Sequence, residues 1–310
     1  MVQRFWVYQC GRFPLLRHSV LVAIITLSGV DFSVLARHRD YTAQYAPEQM
    51  WSLSALVSML VAFVSAFAFI FQLQVAYAYR HDGEDIRVRS YCTKLRGTVS
   101  LRELATVAIV LMLLQLGLAL WLNAWLLLPL LLVWSYLWLI SKGFFVYGWL
   151  KAHPIVHLFV RGMVAPLIFF YITACDWSLV RSPPPGLAWF LMAGFFSGLI
   201  LEIGCKIRAP QDEMVGVETY SKLWGRRTAV TTWLFVMLLM GISATRVALS
   251  IHAGALALAL PITLLTVAVL IGDRFLQNPS TAYASSLKKF STIYPLVLYL
   301  SLLLLPLFIR

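Results

Sequence analysis

Charge is what this sequence has least of. Only 12% of its 310 residues are Asp, Glu, Lys or Arg, and the acids number just 13. That scarcity, beside 61% hydrophobic residues, excludes an ordinary water-soluble domain. Cysteine is also scarce. The four cysteines have neither metal-ligand nor disulfide spacing, which argues against a structural zinc site or a disulfide scaffold. Cys10, Cys92 and Cys205 lie in or near segments expected to face the cytoplasm, so they are read as free thiols. Short alternating segments are missing, which excludes a transmembrane barrel. No small-residue cleavage site follows the first apolar run near Ser19, so that run is expected to be a retained helix rather than a signal peptide. There is no internal repeat and no linker, so residues 1–310 are read as one transmembrane helical domain.

What the chain does have is a succession of apolar runs, several long enough to cross a bilayer, which takes roughly 20 residues. The expected fold is all-α and polytopic: nine transmembrane helices in a bundle around a central lipid-facing cavity. The spans are placed at 19–36, 53–78, just after 100, 124–140, 155–174, 187–203, 229–245, 253–271 and 293–309. Ser100-Leu-Arg-Glu103 reads as a capping box for the third span. Asn123 is the polar break of a tight hairpin between the third and fourth. Asp31 and Arg161 fall inside apolar runs and need partners; for Asp31 an arginine near the far end of its helix is expected.

The formal charge of +12 is a topology signal rather than a nucleic-acid signal. With the N-terminus in the cytoplasm, 19 of the 25 lysines and arginines fall on the cytoplasmic side. Arg37, Arg39, Arg181, Arg246 and Arg310 fall on the other, and Arg161 is intramembrane. A missed helix would scramble this asymmetry, so it supports both the count and the orientation. No nucleic-acid partner is expected.

Two polar stretches stand out on the cytoplasmic side, at 79–102 and 204–228. In the first, Tyr77, His81 and Asp85 recur at i, i+4 and i+8, and share a face if the second span continues into the loop. Arg80, Lys94 and Arg96 accompany them. In the second, Glu202 and Lys206 have the i, i+4 spacing of an ion pair, and Arg208, Asp212 and Glu213 flank Pro210. Acids and bases on two facing loops at a membrane surface suit a phosphorylated lipid. Arginines hold phosphate oxygens in bidentate pairs, and Mg²⁺ bridges carboxylates and phosphate.

The stretch Glu202-Ile-Gly-Cys-Lys-Ile-Arg-Ala-Pro-Gln-Asp-Glu213, with its Gly216, Thr219 and Gly225 tail, resembles a bacterial branch of the UbiA superfamily of intramembrane prenyltransferases. So do Arg12-Phe-Pro-Leu-Leu16, Leu95-Arg-Gly-Thr-Val-Ser-Leu-Arg-Glu-Leu104 and Lys142-Gly-Phe-Phe145. The resemblance implies nine helices, with two aspartate-rich motifs after the second and sixth that hold Mg²⁺ against a prenyl diphosphate. The first motif, Asn-Asp-x-x-Asp-x-x-x-Asp, falls on Tyr77, Ala78, His81 and Asp85, so only the last acid survives. The second, Asp-x-x-x-Asp, falls on Arg208 and Asp212.

From this resemblance, Asp85, Asp212, His81 and Tyr77 are expected to carry catalysis. Arg80, Lys94, Arg96, Lys142, Lys206 and Arg208 are expected to bind diphosphate, and Asp85, Asp212 and Glu213 to take any metal. One Mg²⁺ or none is expected rather than two. The implied reaction is ionisation of a prenyl diphosphate and transfer to a small acceptor. The alternatives are a terpene cyclase on the same fold, or a non-catalytic isoprenoid-binding or scaffold homologue.

Overall fold

Long apolar helices in lipid must satisfy every backbone polar group internally, and the computed structural model of the chain is accordingly helical. It describes residues 15–37, 53–81, 101–213, 219–251 and 256–308. The helices are α1 (Leu15–Arg37), α2 (Leu53–His81), α3 (Leu101–Leu122), α4 (Leu127–Ser141), α5 (Tyr147–Ala152), α6 (Pro154–Gly162), α7 (Val164–Trp177), α8 (Leu187–Cys205), α9 (Tyr220–Leu223), α10 (Arg226–Ser250), α11 (Leu256–Gln277) and α12 (Thr281–Phe308). Among the described residues nine stretches are long and apolar enough to span a bilayer, with α6 and α7 together forming the fifth. No strand occurs among them.

Aromatic side chains pack between the helices. Phe32 of α1 stacks on Phe190 of α8 at 4.9 Å. Phe169 of α7 meets Tyr299 of α12 edge-on at 5.4 Å, and Phe69 of α2 meets Tyr171 of α7 at 5.2 Å. Buried polar groups add direction between helices. Gln72 of α2 donates to Gln115 of α3 (2.7 Å), which donates to the Ser65 carbonyl (3.0 Å) and accepts from Trp134 of α4 (3.2 Å). Such bonds hold helices in register where lipid removes the hydrophobic driving force.

Three features depart from the sequence reading. The fifth span is broken at Met163, because Pro166 has no N–H for the Gly162 carbonyl and its ring crowds that oxygen. The ninth span starts at Thr281 rather than near Ile293. Its first turns are amphipathic, burying Ala284, Leu287 and Phe290 while Lys288 and Lys289 stay exposed, so a search for continuous apolarity enters it late. Finally, Arg37 pairs with Asp176 of α7, not with Asp31: one Arg37 nitrogen lies 2.7 Å from both carboxylate oxygens, and Ser33 donates to Asp176 at 2.6 Å. Asp31 is buried, and its Oδ2 has no hydrogen-bond partner among the described residues. Asn123 does make the expected hairpin: its side chain accepts from the Trp125 N–H (3.0 Å) and donates to the Ser178 carbonyl (2.9 Å).

Candidate functional site

The close crossing of α6 and α8 creates the site. Gly162 and Gly198 face each other there: a Cβ on Gly198 would lie 3.3 Å from the Gly162 carbonyl oxygen, and one on Gly162 would lie 2.5 Å from Leu199. Two missing side chains let the backbones approach. Arg161, next to Gly162, therefore reaches Glu202, one helical turn beyond Gly198 on α8. Arg161 donates to Glu202 and forms an ion pair with it. Lys206 completes the group from the other side, 2.9 Å from the same carboxylate oxygen.

Two tyrosines complete this charge cluster. The Arg161 guanidinium lies 4.8 Å from the ring centre of Tyr77, on the last turn of α2 but one. The Lys206 ammonium lies 5.1 Å from the ring of Tyr220. Aromatic faces stabilise partly dehydrated cations at such distances. Tyr220 is itself buried, and its N–H donates to the Lys206 carbonyl at 3.1 Å, folding the second polar stretch back on its own start. Its ring stacks on Trp224 at 4.3 Å. Burial, with the negative charge of Glu202 second, pushes the Tyr220 phenol up from its ordinary value, so it stays protonated and neutral. Tyr136 anchors the outer side by donating to the Val160 carbonyl at 2.7 Å.

Residues 207–213 continue the second stretch beyond α8. The Arg208 N–H donates to the Ser221 hydroxyl (3.2 Å), and its guanidinium reaches the Asp212 carbonyl at 3.5 Å. Pro210, Gln211 and Asp212 make a single 3-10 turn. Gln211 then donates to Thr281 at 3.2 Å, which ties the loop to the start of α12. Cys205 lies within electrostatic reach of Glu202, Lys206, Arg208 and Lys288, so a lysine of α12 joins the same mouth.

Of the residues expected from the sequence, Tyr77 and Lys206 belong to one connected cluster with Arg161 and Glu202, and Arg208, Asp212 and Glu213 lie on the adjoining loop. Lys142 is exposed at the C-terminal end of α4, and no hydrogen bond or ion pair joins it to the cluster among the described residues. The backbone of α2 runs on to His81, as the shared face of Tyr77 and His81 requires. Asp85, Lys94 and Arg96, and the side chains of Arg80 and His81, lie outside the described residues. Within the cluster, Arg161 reads in the sequence only as a buried cation needing a partner and Tyr220 does not stand out; Lys288, beside Cys205, reads only as a topology charge.

The donor set bears on Mg²⁺. Among the described residues no three His, Cys, Asp or Glu side chains come together around a metal position. Glu202 is committed to two cations. Among the described residues of the loop, Asp212 and Glu213 are the remaining acids; Glu218 and the acids of the first polar stretch lie outside the described residues.

The architecture has solved counterparts. It matches a UbiA homolog from Aeropyrum pernix K1 over 94% of this chain and 98% of that one, with a TM-score of 0.63 and 16% identity. It also matches a structure of digeranylgeranylglyceryl phosphate synthase over 97% of this chain and 98% of that one, with a TM-score of 0.60 and 16% identity. The chain has the UbiA fold. No family model and no curated protein matches the sequence itself. The second and sixth spans, α2 and α8, meet through Arg161.

Proposed function

We propose that the protein is an intramembrane isoprenoid-diphosphate enzyme that transfers a prenyl group to a small acceptor. One observation carries this reading: Tyr77 at the end of α2 and Glu202 at the end of α8 are bridged by Arg161, beside the cationic loop of Lys206 and Arg208. This puts the ends of two spans far apart in sequence at one mouth of an apolar bundle.

In this reading the diphosphate sits at the mouth and the prenyl chain in the bundle. Lys206, Arg208 and Lys288 hold phosphate oxygens, with Arg80, Lys94, Arg96 and Lys142 as further contributors. The allylic C–O bond breaks, its electron pair leaves with the diphosphate oxygen, and the carbocation is captured by an acceptor that then loses a proton. Electrostatic stabilisation of the departing diphosphate contributes most to lowering the barrier of such a step. Glu202 does not face the substrate: it fixes Arg161 and Lys206 in position. Asp85, Asp212 and Glu213 would hold at most one Mg²⁺, which would neutralise diphosphate charge, so one ion or none is proposed. The basic stretches and the site are placed on the cytoplasmic side.

Incubation of the detergent-purified protein with geranyl, farnesyl and geranylgeranyl diphosphates, with and without Mg²⁺, tests this. Diphosphate release that requires an added acceptor supports transfer. Release with a cyclic hydrocarbon product replaces it with a cyclase. Binding without release under every condition replaces it with a non-catalytic carrier.

A further inference from the structure

At the end of the bundle opposite Glu202, the structure carries a second constellation. A cavity of about 290 Å³ opens between the α3–α4 hairpin and the end of α7. Leu128, Pro129 and Phe170 make its apolar wall. Its rim carries Trp125, Trp177, Ser178 and Arg181. Tryptophan and arginine at a membrane boundary would ordinarily be interface anchors, and the Arg181 guanidinium does lie 4.7 Å from the Trp125 ring.

Two further observations distinguish a ligand site from an anchor. Ser178 is 4% exposed, lines the cavity, and has a hydroxyl with no hydrogen-bond partner among the described residues. The indole N–H of Trp177, on the same rim, likewise has none. Buried donors are normally satisfied, because leaving one unpaired forfeits its hydration with nothing in return. The rim is also held in place by the chain. Asn123 binds the Ser178 carbonyl, so the hairpin and α7 cannot part freely. Arg181 adopts φ 57°, a left-handed conformation that a non-glycine side chain rarely takes.

An exposed guanidinium stands at the rim, an indole N–H and a hydroxyl unpaired among the described residues lie buried in the residues that line the cavity, and the rest of the lining is apolar. A phosphodiester supplies only acceptor oxygens and one negative charge, and an acyl chain fits the wall. We propose that this cavity binds a phospholipid of the surrounding bilayer, its phosphate on Arg181, Trp177 and Ser178 and one acyl chain along Leu128, Pro129 and Phe170. The site is separate from the charge cluster of Arg161 and Glu202, and does not depend on the function proposed for it.

Native mass spectrometry of the full-length protein in detergent tests the proposal. The probes are dioleoyl phosphatidylglycerol and dioleoylglycerol, which has the same chains without the phosphate. The expected result is one tightly held phosphatidylglycerol and at least tenfold weaker binding of dioleoylglycerol. Arg181→Ala is expected to weaken phosphatidylglycerol roughly tenfold, the effect of losing one charge-assisted bond. Ser178→Ala is expected to weaken it severalfold. Arg226→Ala, an exposed arginine at the other end of the bundle, is expected to leave it unchanged. Arg181 is exposed, so its variant is expected to fold, which an unaltered melting curve checks. Equal binding of the two lipids, or undiminished phosphatidylglycerol binding by Arg181→Ala, would overturn the proposal.

Discussion

Arg161 binds Glu202 across the point where α6 and α8 approach most closely, and both groups are mostly withdrawn from solvent, with 17% and 22% of their side chains exposed. Removing one member of such a pair leaves the other charge poorly compensated, at a cost of about 3–5 kcal/mol when fully buried. Lys206 remains on Glu202 and the site is partly exposed, so Arg161→Met is expected to cost somewhat less, about 2–3 kcal/mol. Thermal unfolding in detergent measures it. The double variant Arg161→Met with Glu202→Gln is expected to cost less than the sum of the two single losses, because either single change already removes the shared Arg161–Glu202 pair. Strictly additive losses would show that the pair is not energetically coupled.

A second close approach sits beside the site. A Cβ on Gly204 would lie 1.9 Å from Ser291 Oγ and 2.6 Å from Ser291 Cβ. That serine accepts from the buried indole of Trp233 at 2.8 Å. Gly204→Ala is therefore expected to push α12 from α8 and break the indole bond, costing about 2–4 kcal/mol. Adding Ser291→Gly removes both clashing atoms and is expected to restore most of the overpacking cost, though not the hydrogen bond. A melting temperature for Gly204→Ala equal to that of the wild type would refute this packing.

The nine spans were legible because lipid imposes one rule along the whole chain, and basic residues mark the side on which each loop falls. The alternation of charge placed Tyr77, Lys206 and Arg208 at one end without any structure. The partner of Arg161 was not legible. Glu202 lies far along the sequence, and its helical neighbour Lys206 already accounted for it. Only the facing Gly162 and Gly198 bring the two together, and neither glycine differs in sequence from others in the apolar runs. Lys288 escaped notice for a related reason: the start of α12 is amphipathic, so its lysines read as loop charges. For Asp31, composition demanded a partner but could not say that Asp176 would take Arg37 instead.

The loop after α8 is expected to bind the diphosphate. Lys206→Gln and Arg208→Gln are each expected to weaken prenyl-diphosphate affinity about tenfold, the loss of one charge-assisted contact. Arg208→Gln is expected to leave thermal stability nearly unchanged, because its guanidinium makes only a long contact with the Asp212 carbonyl. Asp85→Ala and Asp212→Ala are expected to abolish turnover while the protein remains folded. Wild-type rates from both acid variants would remove these acids from the site. Turnover that persists in EDTA would assign charge neutralisation to the basic groups alone.

Orientation is open to a direct chemical test through Cys205. Its residue is exposed at the same mouth as Lys206 and Arg208, whereas Cys175 is buried in α7. The charge asymmetry predicts that this mouth faces the cytoplasm. A variant with Cys10 and Cys92 changed to serine leaves Cys205 as the accessible thiol. A membrane-impermeant maleimide is then expected to label inside-out vesicles and not right-side-out vesicles. Prenyl diphosphate bound on Lys206 and Arg208 would crowd the thiol, so geranylgeranyl diphosphate is expected to slow that labelling severalfold. Labelling from the opposite face would reverse the topology, and labelling unaffected by saturating diphosphate would separate Cys205 from the binding site.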